Sequence, residues 1–316
     1  EETGDLVSDA IYKRNNKVAE DYNVQLKFTG VDGIWDKRDV FDKFMRGAIM
    51  ANDNSFDVVA GYQANMVTPA MEGLFLNIVD IPEIDVSNRW WSEKCADSLM
   101  LNDCIYMITG DIATSMWDGL YCVYFNKTMA DNYKIGNIYD IVKSGKWTVD
   151  ELYRLSSLVS DDLNGDGKFD ENDRYGLATH SNAARNYIVS FDTPVLTANK
   201  NGEMEYTFYS ERSQKAADKI YELFNKESTY KGNEGEKVFL NGQALFYNGR
   251  LGFATSNRDS EVDFGIIPVP KLDANQEDYY TSTANGVSMI CFPTMLADTS
   301  MAGTLVEALC RESNSI

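Results

Sequence analysis

Histidine is almost missing: His180 is the only one in 316 residues. Zinc sites built on several imidazoles and an HExxH helix are therefore excluded, and a Cys–His nucleophile pair would have to recruit that one ring. Cations are also scarce, with 29 Lys and Arg against 49 Asp and Glu, a formal charge of −20. Nucleic acid and anionic membrane surfaces need clustered cations, so neither suits this balance. No apolar run approaches the ~18 residues that cross a bilayer. There is no glycine-rich phosphate loop of either common type. No secretory leader is visible, but the chain opens on Glu1-Glu2-Thr3-Gly4 without methionine, as a processed or trimmed chain would.

Cys95, Cys104, Cys122, Cys291 and Cys310 form no CxxC and no zinc spacing, and an odd count leaves one unpaired in any scheme. They read as buried thiols that pack as small hydrophobes. If Asn102-Asp103 is a hairpin turn, Cys104 stands opposite Leu101 and not opposite Cys95.

What is present is a large core-forming fraction. Apolar residues make up 44% and aromatics 12%, enough for two lobes with a core each and too much for a disordered chain. One segment carries explicit metal-ligand spacing: Asp162-Leu163-Asn164-Gly165-Asp166-Gly167-Lys168-Phe169-Asp170-Glu171-Asn172-Asp173. Asp162, Asn164, Asp166, Asp170 and Asp173 place oxygens at the first, third, fifth, ninth and twelfth positions. Lys168 offers its carbonyl at the seventh, and Gly167 at the sixth permits the sharp turn. This is the ligand pattern of a calcium loop, with Asp in place of Glu at the last position, where the shorter side chain reaches less far. Thr148 and Glu151 read as a capping box ahead of a helix carrying Leu152, Leu155, Leu158 and Val159. Gly176 argues against a second helix after the loop. One helix and one loop suit an ion that staples structure, not one that switches it.

Elements alternate along the chain. Helical patterns cover 5–20 and 38–50, strand patterns 24–28 and 56–60, the latter reading as a central strand of a parallel sheet. This is an α/β class. No internal repeat or low-complexity linker separates two lobes, so the backbone is expected to cross between them more than once. Leu120–Asn126, leading into a helix at 127–132, and Asp263–Pro270, closed by prolines, read as crossings. Between them, Phe239–Phe246 ends a helix at Gly242 and starts a strand.

The segments FLNGQALFYNGRL and DFGIIPVPK resemble the signature of bacterial extracellular solute-binding proteins, family 1, the receptors of carbohydrate ABC importers. FDVVAGYQANM, DVSNRWWS, GD…WDGLYCVYFNK and the DLNGDGKFDENDRYGL loop agree in order. The resemblance implies a two-lobed periplasmic-binding-protein-like fold (type II), each lobe a sheet flanked by helices, with a ligand cleft at the hinge. The expected lobes are 1–123 with 264–316, and 124–263 carrying the loop 162–173. It further implies a non-catalytic, monomeric receptor that closes on a carbohydrate and delivers it to a membrane permease. Such receptors are extracellular, and in Gram-positive bacteria a lipidated N-terminal cysteine, not found here, anchors them to the cytoplasmic membrane. The family's first strand and its closing C-terminal segment are expected outside this sequence.

A sugar site needs flat aromatic platforms with donors and acceptors beside them, at the carboxyl ends of strands. Tyr62 and Gln63 follow the 56–60 strand. Trp117, Asp118 and Tyr121 precede the first crossing, Trp35 follows the 24–28 strand, and Asn285 precedes a strand at 287–292. Of Trp90 and Trp91 only one can face a cleft, and Trp91 is the candidate. Arg185, Tyr247 and Arg250 are polar candidates of the second lobe. For each of these, packing is the competing role; Trp147, beside the helix start at Thr148, reads as a staple. Some relatives of the scaffold bind peptides or other polar solutes, and the aromatic content favours oligosaccharide. The competing class is a calcium-dependent glycan-cleaving enzyme, which needs two carboxylates across a sugar cleft; Asp111 and Asp118 are the nearest pair.

Overall fold

The computed structural model describes residues 3–170, 172–180, 183–200 and 203–315. Among them nine strands occur: β1 (Val59–Tyr62), β2 (Tyr121–Asn126), β3 (Tyr175–Ala178), β4 (Leu196–Ala198), β5 (Met204–Tyr206), β6 (Thr229–Tyr230), β7 (Ala244–Arg250), β8 (Phe264–Ile267) and β9 (Ser288–Cys291). The chain divides into two compact units, Glu1–Trp117 with Asn285–Ile316, and Asp118–Ala284.

In the first unit β1 pairs antiparallel with β9, Tyr62 opposite Ser288. The expected parallel central strand is therefore one member of a two-stranded antiparallel pair. Burial on both sides belongs to its partner β9, while β1 itself buries only Val59 and leaves Ala60 exposed. Met289 and Cys291 of β9 face a core with Met45, Ile49 and Met66, while Ile290 faces one with Trp91, Ile105 and Val306. Gly61 lets that first core close on β1, because a Cβ there would stand 2.3 Å from Met66 Cε. Residues 24–28 form no strand. Phe28 is 67% exposed, and no ladder partner pairs with the segment among the described residues. An alternating pattern marks a strand only if a neighbour supplies the hydrogen bonds.

The second unit holds a five-stranded sheet in the order β6-β3-β7-β2-β8. Strands β6, β3 and β7 run parallel, while β2 is antiparallel to both β7 and β8. Both expected crossings are thus strands of one sheet. The divisions between units fall outside them, after Trp117 and after Ala284, instead of at 123 and 263. Pairing Val123 with Ile267 and Asn248 makes β2 and β8 inseparable from this sheet.

The helix Val149–Val159 starts where Thr148 Oγ1 accepts the Glu151 N–H at 3.3 Å. The reciprocal half of the capping box is replaced, since the Glu151 carboxylate binds Arg154 at 2.8 Å. Leu152, Leu155 and Val159 pack on Leu177 and Phe246. Trp147 is fully buried and its indole N–H donates to the Pro268 carbonyl at 2.8 Å, a staple as expected. Gly176 brings helix and sheet together, because a Cβ there would meet Ser156 Cβ at 2.3 Å. All five cysteines are free, and Leu101 and Cys104 exchange backbone hydrogen bonds of 3.0 Å across a turn at Asn102-Asp103.

Candidate functional site

In the first unit three of the expected residues come together. Tyr62 ends β1 and Gln63 begins the helix Gln63–Met71. The Gln63 N–H donates to the Val287 carbonyl at 2.9 Å and the Ala64 N–H to that of Asn285 at 3.4 Å. The first turn of this helix is thereby fastened to the start of β9. Gly286 lies against the Tyr62 ring: a Cβ there would be 3.8 Å from two ring carbons. Ser115 Oγ accepts the Ser288 N–H at 3.0 Å, which ties the helix Thr114–Gly119 to the same strand start. Trp117, two residues on, is 50% exposed. An aromatic half-buried at a strand end, an exposed indole and two amides thus stand where the chain enters and leaves the β1–β9 pair.

In the second unit a different set gathers at the carboxyl end of β7. Arg250 is opposite Tyr121, and the Leu251 N–H donates to the Leu120 carbonyl at 2.7 Å. Gly252 accommodates Asp118, whose Cβ would be 3.2 Å from a Cβ added to the glycine. The Tyr124 hydroxyl, shared between the carbonyls of Arg250 and Leu251 at 3.0 Å each, holds this end of β7. Tyr121 is fixed by its N–H to the Ser282 carbonyl at 3.1 Å and by Thr281 Oγ1 on its own carbonyl at 2.7 Å. Arg250 and Asp118 are exposed and Tyr121 is half-buried.

The same end of the sheet contains residues that sequence reading missed. Asn186, on the helix Ala184–Ser190, is 1% exposed; its Oδ1 accepts the Ser282 N–H and hydroxyl at 3.2 and 2.9 Å. Its Nδ2, Asn248 Oδ1 and Thr179 Oγ1 are buried without a partner among the described residues. Parallel register after the Ala178–Tyr247 pair sets Thr179 beside Asn248. Buried polar atoms without partners are rare and costly. The available signal was an asparagine in ALFYNGR on the face that Phe246 shares with the core.

Four candidates are not brought into either group. Trp91 is 4% exposed and packs among Ile105, Ile108 and Phe292, with its N–H donated to Glu307 at 2.7 Å. It is a core residue and presents no face to a ligand. Trp35 opens a short 3-10 turn, 50% exposed, with the Arg38 guanidinium 4.7 Å from its ring. Arg185 is exposed one residue before Asn186, on the outer side of its helix. Tyr247 is half-buried, stacked on Phe239 at 5.8 Å, and burial pushes its hydroxyl up to about 12. It belongs to the aromatic core.

Nucleophilic chemistry has no support at these positions. Cys122, adjacent to Tyr121, is buried, and burial pushes its thiol up to about 11, so it is protonated at neutral pH. Asp111 is engaged by Asn314 Nδ2 at 2.6 Å.

The loop 162–173 is closed at its base by paired hydrogen bonds between Asp161 and Arg174, 3.0 and 3.1 Å. Gly165 and Gly167 take φ of +73° and +78°, left-handed conformations that favour glycine. Asp162 accepts the N–H groups of Gly165 and Gly167 at 2.7 and 2.8 Å, Asn164 that of Asp166 at 2.9 Å, and Asp166 that of Lys168 at 2.8 Å. Asp170 Oδ1 accepts the Asn172 N–H at 2.9 Å. Asp173 is fully buried, its two oxygens accepting from Leu163 and Asp170 at 2.9 and 2.7 Å. Among the described residues no three His, Cys, Asp or Glu are gathered closely enough to hold a metal ion. The donor chemistry nevertheless fits a hard cation, since a carboxylate oxygen that accepts one N–H keeps a lone pair. Glu171 lies outside the described residues.

The sequence matches no protein-family profile, and no curated protein matches it. Solved structures do share its fold. A cyclo/maltodextrin-binding protein complexed with maltotetraose aligns with a TM-score of 0.64 over 96% of this chain and 72% of its own, at 13% identity. UspC of M. tuberculosis aligns with a TM-score of 0.64 over 98% of this chain and 76% of its own, at 14% identity. At these identities the likeness is one of architecture: the chain has the α/β fold of both proteins.

Proposed function

We propose that this protein is a non-catalytic carbohydrate receptor, the extracellular solute-binding component of an ABC importer. The observation that carries the reading is the grouping of aromatic faces and amide, carboxylate and guanidinium groups at strand ends. It occurs in a fold shared with a protein that holds maltotetraose. Tyr62, Trp117 and Tyr121 supply ring faces for sugar C–H surfaces. Gln63, Asn285, Asp118 and Arg250 supply donors and acceptors for hydroxyls. Capture proceeds by hinge closure on an oligosaccharide, which is then passed to a membrane permease. The receptor acts as a monomer, held at the outer face of the cytoplasmic membrane by a lipid anchor. Calcium in the loop 162–173 is structural, held by Asp162, Asn164, Asp166, Asp170 and Asp173 with the Lys168 carbonyl. The burial of Asp173, which makes no ion pair among the described residues, favours a neutralising cation.

The test is calorimetry of the full chain, in calcium, against mono- and oligosaccharides, with Trp117→Ala beside the parent. One glycan class is expected to bind and be recovered intact, and Trp117→Ala to weaken it by about tenfold or more. Unchanged affinity removes Trp117 from the site. Recovery of cleaved glycan overturns the receptor reading.

A further inference from the structure

A cavity of about 770 Å³ lies wholly within the second unit, at the β6 edge of the five-stranded sheet. Its walls are β6, the start of β3, the helix Gly235–Leu240 and the closing part of the 162–173 loop. None of Tyr62, Trp117, Asp118, Tyr121, Arg250 or Asn285 lines it, so it is separate from the groups described above. Its size falls in the ~300–1,000 Å³ range of small-molecule sites.

Three rings meet there in fixed positions. Tyr175 is buried between the other two, with centroid distances of 5.6 Å to Phe169 and 5.4 Å to Tyr230. Its hydroxyl is committed to the Asp170 carbonyl at 3.0 Å. Gly232 confines Tyr230, since a Cβ there would come within 2.6 Å of the phenol oxygen. Phe169 and Tyr230 are only half-buried, and both line the cavity. They are therefore immobilised rings with surface left to offer, which lowers the entropy lost when a ligand stacks on them.

The charges narrow the class of ligand. Asp170, Glu227 and Glu234 stand against Lys231 and Lys237, and Lys231 already donates to the Phe224 carbonyl at 2.6 Å. A wall without positive excess, in a chain of charge −20, disfavours phosphates and other polyanions. With three carboxylates against two ammonium groups, the wall gives an organic cation only a weak pull. Asn241 and Gln243, joined by a 3.3 Å hydrogen bond, add amides. Aromatic faces combined with mixed donors and acceptors suit a neutral polyhydroxylated ring.

We propose that this cavity is a second carbohydrate-binding site. It takes one or two neutral sugar units, stacked on Tyr230 and Phe169 and hydrogen-bonded by Lys237, Glu234 and Asn241. It does not rest on the capture reading, and the two fail separately. The experiment is saturation-transfer NMR with calorimetry on the full chain. Glucose, galactose, mannose, xylose and maltose are the neutral probes, and glucose 6-phosphate is the charged one. At least one neutral sugar is expected to bind the parent and Trp117→Ala alike, and to lose about tenfold or more in affinity in both Tyr230→Ala and Lys237→Ala. Lys237 is exposed on its helix, so its removal leaves the core untouched and tests the site even where Tyr230→Ala fails to fold. Sugar binding lost in Trp117→Ala but retained in Lys237→Ala upholds capture and overturns the second site. Absence of neutral-sugar binding to Trp117→Ala, or a preference for glucose 6-phosphate over glucose, overturns it as well.

Discussion

Glu307 accepts three hydrogen bonds, from Asn88 Nδ2 at 2.9 Å and from the indole N–H groups of Trp90 and Trp91 at 2.9 and 2.7 Å. Residue type alone marks those indoles as sugar platforms; a carboxylate more than two hundred positions later makes them part of a core. Removing it as Glu307→Ala leaves the buried Trp91 N–H without an acceptor, at a cost of about 1–3 kcal/mol. A lower urea midpoint with unchanged sugar affinity is the expected result, and a loss of sugar binding at full stability would return Trp91 to the candidate site. Tyr62, Gln63 and Asn285 fared otherwise. Their place at strand ends was readable because Val58–Ala60 and Val287–Phe292 are short, mostly apolar runs. The contact between them was not, because it needs the β1–β9 register. Asn186, Asn248 and Thr179 were unreadable for a related reason: a polar residue in an apolar pattern does not say whether its partner is protein, water or ligand.

At the scale of elements, local signals worked where the chain supplied its own partners. The helix Val149–Val159, the helix end at Gly242 and the turn at Asn102-Asp103 depend on caps and left-handed residues a few positions apart. The segment 24–28 failed because a strand depends on a neighbour. Gly176 illustrates both kinds of information. Its low helix propensity was legible, but its proximity to Ser156 was not. Gly176→Ala forces the helix off the sheet and is expected to cost about 1–3 kcal/mol as overpacking, read as a fall in melting temperature; no fall would mean that the helix relaxes freely. In the loop 162–173, Asp166→Ala should lower the melting temperature in calcium and abolish the shift that chelator produces in the parent. A parent whose melting curve ignores chelator rules out a structural ion.

Over the whole molecule, ionisable burial is uneven. Burial pushes the hydroxyls of Tyr175 and Tyr247 up to about 12, helped by Asp173 and Asp170 at the first and by Glu236 at the second. Burial raises Tyr124, Tyr153 and Tyr187 as well. These five belong to Asp118–Ala284, while in the first unit burial raises the Cys291 and Cys310 thiols, the latter to about 12. A folded-state value above the unfolded one, near 10, means that the folded unit binds more protons. Its stability is complete below pH ~10 and falls as pH rises through the interval to about 12. Near-ultraviolet circular dichroism of the whole chain is therefore expected to be lost as pH rises from 10 to 12, since both units hold groups protonated only when folded; a spectrum unchanged at pH 12 would contradict this. Which unit buries which groups follows from how the chain is divided, and the division was the feature least accessible to inspection. Composition, charge, loop spacing and alternation of elements determined the α/β class, the acidic surface and the oxygen donors of the loop 162–173, because each depends on neighbours along the chain. Which strands share a sheet, where the two units part, and which aromatic rings keep a free face were decided only by tertiary structure. Those outcomes depend on pairings between distant segments, whose energies no local window contains.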